Sequence, residues 1–365
     1  MKGRIDLQKV LLALAAPVIA VIFAALVSSV VLLISGDSPP HVFKVMFDFG
    51  TQSQQVVNIL NRSTTYYLSA VAVAIGFQMN LFNIGVDGQY RLAAFFAAVV
   101  GGHTHLPRPL HLLVIVLVAV VVGAMWAGIA GLLRTGRGVS EVISTIMLNF
   151  IASGLIAYLL APGKLGQLRS NNIGTKPIGT SGQLPGFTTS GGEVFGFIVI
   201  AALVGVGYSV LLNRSRFGFD LRATGKSESA AVAGGVNVKR MVLISMLLSG
   251  AVAGLVGMPV LLGASHTFSL DFQSGAGFTG IAIALLGRNH PIGMAIGALL
   301  WSFLDISAQI LDLESVPKEI TIIMQGVIVL SVVIAYELVR RFGIAQEQRR
   351  VRARLSSSTL AEVTP

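Results

Sequence analysis

Cysteine is absent from the 365-residue sequence, and charged residues make up only 12% of it. The lack of cysteine excludes disulfides, thiolate metal sites and cysteine nucleophiles. A soluble chain of this length carries about twice that charged fraction, whereas 54% of these residues are hydrophobic. A helix needs ~20 apolar residues to cross a bilayer. About ten such helices use most of the apolar residues and leave no stretch for a large soluble catalytic domain.

Long apolar runs, several of them interrupted by glycine, predict an all-α, polytopic membrane protein with about ten transmembrane helices and broken or re-entrant segments. The predicted spans are 10–35, 64–83, 88–106, 110–133, 139–161, 194–213, 241–263, 274–287, 291–311 and 319–339. The first run is longer than the core of a signal peptide, which has about 7–15 apolar residues. We therefore expect an uncleaved anchor.

The excess of ten positive charges predicts the orientation of the chain. Loops rich in lysine and arginine stay in the cytoplasm. If the N-terminus is cytoplasmic, the segments that hold most of the 26 basic residues all face the cytoplasm. Both termini are therefore expected in the cytoplasm. A nucleic-acid partner is not needed to explain the charge.

The spans are expected to form a single transmembrane domain over residues 1–340. Its outer loops are predicted at 36–63, with a short interfacial helix near Gln52–Asn61, and at 162–193, with short hairpins that can contact an external partner. A cytosolic loop is predicted at 214–240. The polar, basic tail 341–365 is expected to be disordered in the cytosol.

Enzyme signatures are missing from the sequence. Thr224-Gly225-Lys226-Ser227 resembles the end of a phosphate-binding loop, but Asp220 stands where that loop requires its first glycine. His103, His105 and His111 have no carboxylate nearby. We therefore predict no catalytic residues, no metal site and no ATPase activity in this chain.

Polar residues at membrane depth are costly and need a functional or structural reason. The densest group, residues 80–91, interrupts an apolar run with two glycines, as a broken helix does. It forms either a wall of a translocation path or a tight turn in which Asp87 and Arg91 satisfy each other. Asp305 and Trp301 either offer a hydrogen bond and a stacking face to a polar ring, or the carboxylate is satisfied by a neighbouring helix. The candidate pathway residues are Asn80, Asn83, Asp87, Gln89, Asn149, Trp301, Asp305 and Gln325.

The loop Arg222–Asn237 predicts one short, alanine-rich helix. Ser227 and Glu228 give it a polar start, and Gly234-Gly235 ends it. Such a helix either docks into a groove of another protein or is a plain connector. Elsewhere, small residues spaced four apart at Gly250–Gly254 and Gly293–Gly297 predict close helix packing.

Four segments carry a resemblance to a known family. Residues Arg222–Asn237 resemble the coupling-helix loop of permease subunits in bacterial ABC importers, in the branch with branched-chain amino acid and simple-sugar permeases. Residues 82–89, 141–149 and 284–291 are similar to motifs of the nucleoside-type permeases of that branch. The chain departs from the pattern at Asp87, where glutamate is usual, and at the extra Gly235.

The resemblance implies a type II ABC importer permease-like fold in the bacterial plasma (inner) membrane, with nucleosides as the transported substrates. Simple sugars or branched-chain amino acids are alternative substrates, and an ATP-independent secondary transporter is an alternative mechanism. The implied partners are ABC ATPase subunits that use ATP and Mg, a second permease subunit of the same or another sequence, and an extracytoplasmic substrate-binding protein or lipoprotein. No cofactor is expected on this chain. The residues matched to ATPase coupling are Arg222, Ala223, Gly225, Lys226, Glu228, Ala230, Ala231 and Gly234.

Overall fold

A computed structural model describes residues 22–169, 172–314, 316–317 and 319–332, together with positions 334, 341 and 348. This part of the chain is mainly helical and contains two short β-hairpins. The helices are α1 (Ile22–Ile34), α2 (Pro39–Gly50), α3 (Ser53–Phe77), α4 (Val86–His103), α5 (Arg108–Arg137), α6 (Glu141–Leu159), α7 (Phe197–Arg214), α8 (Arg216–Lys226), α9 (Glu228–Ala233), α10 (Val238–Gly254), α11 (Met258–Val260), α12 (Ala276–Leu286), α13 (Pro291–Ser307) and α14 (Glu319–Val332).

Five of the described helical segments are long and apolar enough to cross a membrane. They are α5, α6, α7, the segment Val238–Ser265 and the segment Pro291–Ile310. Helices α1 and α2 provide a sixth span only when taken together, because the chain bends by 114° between them. Helices α12 and α14 are apolar but shorter. The predicted count of about ten spans is therefore not confirmed.

Helices α3 and α4 are not among the five, although they have 25 and 18 residues. Most of their side chains are buried against other helices. A helix surrounded by protein does not need to be apolar on every face, since lipid does not contact it. Burial in the bundle thus explains why these two helices carry so many polar residues.

The segment predicted as a short interfacial helix at Gln52–Asn61 belongs instead to α3, which starts at Ser53 and continues to Phe77. Its Asn61 side chain packs on the hairpin loop. The Asn61 side chain donates to the Glu193 carbonyl (2.9 Å) and accepts from the Phe195 amide (2.8 Å).

The predicted hairpins of the 162–193 loop are present. Strand β1 (Gln167–Arg169) pairs antiparallel with β2 (Asn172–Gly174), and β3 (Phe187–Thr189) pairs antiparallel with β4 (Gly192–Val194). Backbone hydrogen bonds from residues 175 and 178 to the carbonyls of residues 268 and 266 fasten this loop to the segment before α12. We call this the hairpin end of the bundle, and the opposite end, which carries α8 and α9, the α9 end.

A second contact ties the hairpin end together through Asp271. Its Oδ1 accepts hydrogen bonds from Asn172 (3.0 Å) and from the Ser269 hydroxyl. These bonds, first that from Ser269, lower the pKa of the Asp271 carboxyl. Asp271 is therefore ionised throughout the physiological pH range.

The predicted glycine seam at Gly250–Gly254 is confirmed and joins α10 to α5. A Cβ atom at Gly123 of α5 would lie 2.8 Å from the Gly254 nitrogen, and one at Gly250 would lie 3.0 Å from the Gly123 carbonyl carbon. The two backbones therefore approach too closely for any side chain, as in other small-residue helix pairs in membranes.

By their internal contacts, the described residues form two compact units: those within 47–307, and those within 1–46 and 308–365. In the second unit, His41 Nε2 lies 3.3 Å from Glu314 Oε2, within hydrogen-bond distance. The start of the predicted first span and nearly all of the tail 341–365 lie outside the described residues.

Candidate functional site

Helix α12 is about half as long as a membrane span, and its position gives the depth of the residues around it. Its 11 residues extend for about 16 Å, against ~30 Å for the apolar core of a bilayer. Just after its C-terminus, the Asn289 carbonyl accepts a hydrogen bond (2.8 Å) from Tyr208, near the α9 end of α7. At its start, the Ala276 carbonyl accepts one (2.7 Å) from Ser69, within α3. Helix α12 therefore begins near the middle of the span.

Asp87 joins the N-termini of α4 and α12 at this depth. Its Oδ1 accepts hydrogen bonds from the backbone amides of Gly275 (2.8 Å) and Gly277 (3.2 Å), where the dipole of α12 favours a negative charge. Asp87 lies in the first turn of α4. Helices that begin at mid-depth with polar groups between their ends are typical of transporter substrate sites.

Arg91 follows Asp87 by one turn of α4, but the two do not form an ion pair in the structure. The ion pairs among the described residues include neither of them. Arg91 instead donates to the hydroxyl of Ser153 on α6 across 3.4 Å. The alternative in which Asp87 and Arg91 satisfy each other is therefore not observed.

The predicted break in the apolar run is confirmed, since α3 ends at Phe77 and α4 starts at Val86. Within the break, the side-chain amides of Asn83 and Gln89 exchange two hydrogen bonds, of 3.0 and 2.9 Å. Asn83 also donates to Ser249 of α10 (2.8 Å) and accepts from the amide of Gly85 (3.1 Å). Both amide side chains are only 1% exposed. This network holds the broken helix in place, and its polar groups are largely used internally.

Asn149 and Asn80 lie on either side of this network. Asn149 accepts from the Gly88 amide (2.8 Å) and donates to the Ile84 carbonyl (2.9 Å), and so fastens α6 to the start of α4. Asn80 is exposed in the turn after α3, with a φ of 58°. Asparagine tolerates this left-handed conformation better than most residues.

Asp305 lies in a second polar cluster, which joins α13 to α3. Its carboxylate accepts a hydrogen bond from the Tyr66 hydroxyl and forms an ion pair with Arg62 (Nε to Oδ2, 3.3 Å). Trp301, one turn earlier, is only 9% exposed. The carboxylate is therefore satisfied by a neighbouring helix, which is the second of the two alternatives for Asp305. The indole of Trp301 does not present an open stacking face.

Gln325, the remaining pathway candidate, is buried in α14 and belongs to the unit formed by the chain ends. The structure thus brings together Asn83, Asp87, Gln89 and Asn149, and places Asp305 and Trp301 in a separate cluster. Tyr66 and Arg62 are participants that the sequence reading missed. Their spacing of four residues on one helix was the available signal.

The predicted short helix in the 214–240 loop is confirmed as α9. Ser227 caps its start by accepting from the Ala230 amide (3.3 Å), and Gly234 ends it. Glu228 and Ala230 are exposed, whereas Ala231 is buried. Val232 is 60% exposed.

Helix α8, which the sequence reading did not separate from α9, ties this loop to the broken helix. A Cβ atom at Gly225 would lie 3.0 Å from the Met79 Cα, so α8 packs directly on the chain that follows α3. Arg222 donates to the Leu212 carbonyl of α7 and so faces inward. Of the other matched positions, Lys226 and Gly234 are exposed and Ala223 is half-buried.

Several apolar helices around a buried polar centre, with a short exposed helix between two of them, define a multi-pass membrane transport protein. The sequence comparison gives its family. Residues 55–333 match the family described as branched-chain amino acid transport system, permease component. The chain belongs to this family.

Similar proteins from three organisms cover most of the chain. It is 33% identical to a guanosine ABC transporter permease protein, NupP, of Bacillus subtilis, over 88% of this chain and 93% of the relative. It is 31% identical to a glucose ABC transporter permease protein, TsgB13, of Haloferax volcanii, over 93% and 92%. It is 29% identical to a nucleoside ABC transporter permease protein, NupB, of Lactococcus lactis, over 88% and 90%.

Proposed function

We propose that this chain is the permease subunit of an ATP-driven ABC importer that carries nucleosides across the bacterial plasma membrane. The observation that carries the proposal is the similarity, over 88% of the chain, to permeases named for guanosine and for nucleosides. The mid-depth meeting of α4 and α12 gives such a chain a polar site where a small neutral molecule can cross.

The proposed machine divides the work between this chain and its partners. Two ATPase subunits bind ATP and Mg in the cytosol, and this chain binds no cofactor. A second permease subunit, identical or different, completes the path. An extracytoplasmic binding protein or lipoprotein delivers the nucleoside at the hairpin end. In this arrangement the α9 end and both termini face the cytoplasm.

We propose that α9 is the part of this chain that receives the motion of the ATPases. Its side chains at Glu228, Ala230 and Val232 are exposed, and Ala231 anchors it from beneath. Helix α8 leads from α9 to the residues after α3, and from there the chain enters the Asn83–Gln89 network. A displacement of α9 would therefore reach the broken helix through backbone contacts and not through flexible side chains.

The candidate pathway residues divide into two roles in this proposal. Asp87, which is hydrogen-bonded to the start of α12, and Arg91 border the path at mid-depth. Asn83, Gln89 and Asn149 set the position of the broken helix that carries them. Asp305 holds α13 against α3 through Tyr66 and Arg62.

The proposal is tested by purifying the chain with the ATPase encoded beside it. We expect the two to associate, and we expect ATP turnover to rise when a nucleoside-loaded binding protein is added. Glu228→Arg combined with Val232→Asp changes only exposed α9 side chains and should abolish both effects. Arg137→Glu, on the exposed C-terminal turn of α5, is the matched control and should preserve them.

Each alternative has its own outcome in this assay. Stimulation by a sugar-loaded binding protein, and not by a nucleoside-loaded one, would favour the function named for the Haloferax relative. Stimulation by branched-chain amino acids would favour the function in the family's description. Nucleoside uptake that persists without ATP and collapses with the ion gradient would identify a secondary transporter.

A further inference from the structure

Arg91 places a positive charge at mid-depth of the span, and none of the ion pairs among the described residues includes it. It lies one turn of α4, about 5 Å, from Asp87 toward the hairpin end. In the part of the chain that the structure describes, its buried Nε has no hydrogen-bond partner. Its guanidinium makes the 3.4 Å contact with Ser153. Because a guanidinium has five N–H donors, most of its binding capacity remains for another group.

Lipid does not provide such a group at this depth. A charged side chain at the bilayer centre is costly, and headgroups about 15 Å away are beyond the reach of one arginine. The surface around Arg91 is partly polar, since Asp87 is partly exposed and Ser153 is exposed. Exposed apolar side chains also lie on α6, among them Phe150, three residues before Ser153. This face of α4 and α6 is therefore suited to an occupant that has both an apolar ring and polar edges.

We propose that Arg91 recognises the base of the transported nucleoside and selects oxo-purines over adenine. This inference rests on the proposed function. The planar guanidinium fork matches two adjacent acceptors, such as O6 and N7 of guanine or hypoxanthine. Adenine has an amino donor in place of O6, and that donor opposes the donors of the guanidinium. Ribose hydroxyls both donate and accept hydrogen bonds, so their recognition does not need a side chain that only donates.

The surroundings hold Arg91 in a position suited to this role. Asp87, one turn before it, is fixed by the amides of Gly275 and Gly277. Between them, the Gly88 amide is held by Asn149. The first turn of α4 is thus attached to both α12 and α6, and the guanidinium extends from a rigid helix. Such a base-reading group needs this fixed origin, because a small displacement removes its hydrogen bonds.

The test compares nucleosides in the complete importer, reconstituted in liposomes with saturating binding protein. Guanosine, inosine and adenosine uptake are measured for the unchanged protein, Arg91→Gln and Arg91→Lys. Glutamine pairs with N6 and N7 of adenine, so Arg91→Gln should lower the guanosine-to-adenosine ratio at least tenfold, with inosine following guanosine. Arg91→Lys retains the charge but lacks the fork and should lower the ratio less. The selectivity of the binding protein is common to all variants and cancels.

Arg137→Gln makes the same chemical change at the exposed end of α5 and should leave the ratio unchanged. A ratio within twofold of the unchanged protein in Arg91→Gln would overturn base recognition while nucleoside transport itself stands. Loss of the second permease subunit from the purified Arg91→Gln complex would also overturn it, by assigning Arg91 to the subunit interface. An unchanged importer that carries no nucleoside would instead refute the proposed function on which the inference rests.

Discussion

Asn83→Leu should disturb the polar network at the centre of the fold. The side chain takes part in four hydrogen bonds: two with Gln89, one with Ser249 and one with the Gly85 amide. Leucine is of similar size but leaves both polar ends of the Gln89 amide and the Gly85 N–H without partners. Ser249 keeps its hydrogen bond to the Ala72 carbonyl (2.6 Å). Three unpartnered buried groups at about 1–2 kcal/mol each predict a loss of roughly 3–6 kcal/mol in the free energy of unfolding.

The pair Asn83→Leu and Gln89→Leu separates this mechanism from a general packing defect. Removing both amides also removes the two unpartnered ends that the first substitution leaves. The double variant should therefore lose less stability than the sum of the single variants, by about 2–4 kcal/mol, or about 1–2 kcal/mol for each of the two ends. Reversible SDS unfolding in detergent micelles measures all three values.

Phe82→Leu is the matched control. Phe82 adjoins Asn83 and is 45% exposed, and the substitution exchanges one apolar side chain for another. It should cost less than 1 kcal/mol. A loss below about 1 kcal/mol for Asn83→Leu, or strict additivity of the two leucine substitutions, would refute the reasoning.

Three further predictions follow from contacts elsewhere in the chain. Gly225→Ala presses a Cβ against the chain after α3 and should lower nucleoside uptake per ATP hydrolysed about fivefold. Gly136→Ala adds a Cβ that meets nothing within 4 Å and should leave this ratio unchanged. Equal ratios for the two variants in a coupled assay would contradict this prediction. Tyr66→Phe removes the hydroxyl that donates to Asp305 and accepts from Arg62, and should lower the free energy of thermal unfolding by about 1.5–3 kcal/mol; no change would contradict it. Because the pKa of Asp271 is lowered below 3.8, its stabilisation is complete above that pH and is lost as the pH falls through the lowered value. Pepsin should therefore cleave residues 162–193 faster below that value, and Asp271→Asn should reduce this pH dependence.

Short-range signals in the sequence, such as cap residues and glycines, were sufficient to predict several elements of the fold. The cap at Ser227 and the end at Gly234 located α9, since both act within one turn of the chain. The glycine spacing at Gly250–Gly254 located a helix seam for the same reason. The break between α3 and α4 followed from polar residues and glycines in an apolar run.

The count of spans was harder to predict, because apolar composition measures contact with lipid. Helix α3 carries Asn61 and Arg62, yet most of the helix is buried, and residues of other elements satisfy these two polar groups. Helix α12 is apolar but half a span long, and its depth depends on contacts with Ser69 and Tyr208, distant in sequence.

The division of the candidate pathway residues was equally beyond the sequence. Asn83, Asp87 and Asp305 all read as polar residues at membrane depth. Only their partners show that Asn83 is enclosed in a network, that Asp87 sits on the start of α12, and that Asp305 belongs to a cluster with Tyr66. Partner choice between distant helices has no short-range signal.

In the proposed function, this chain forms the nucleoside path of a machine driven by ATP hydrolysed on other subunits. The most direct measurement is guanosine accumulation in liposomes that contain this chain, its second permease subunit and the ATPases, with the loaded binding protein on the hairpin side. We expect accumulation that requires ATP on the α9 side and stops when Glu228 and Val232 are replaced together. Accumulation without ATP, or its absence in a complex that hydrolyses ATP in response to the loaded binding protein, would show that this chain does not form such a path.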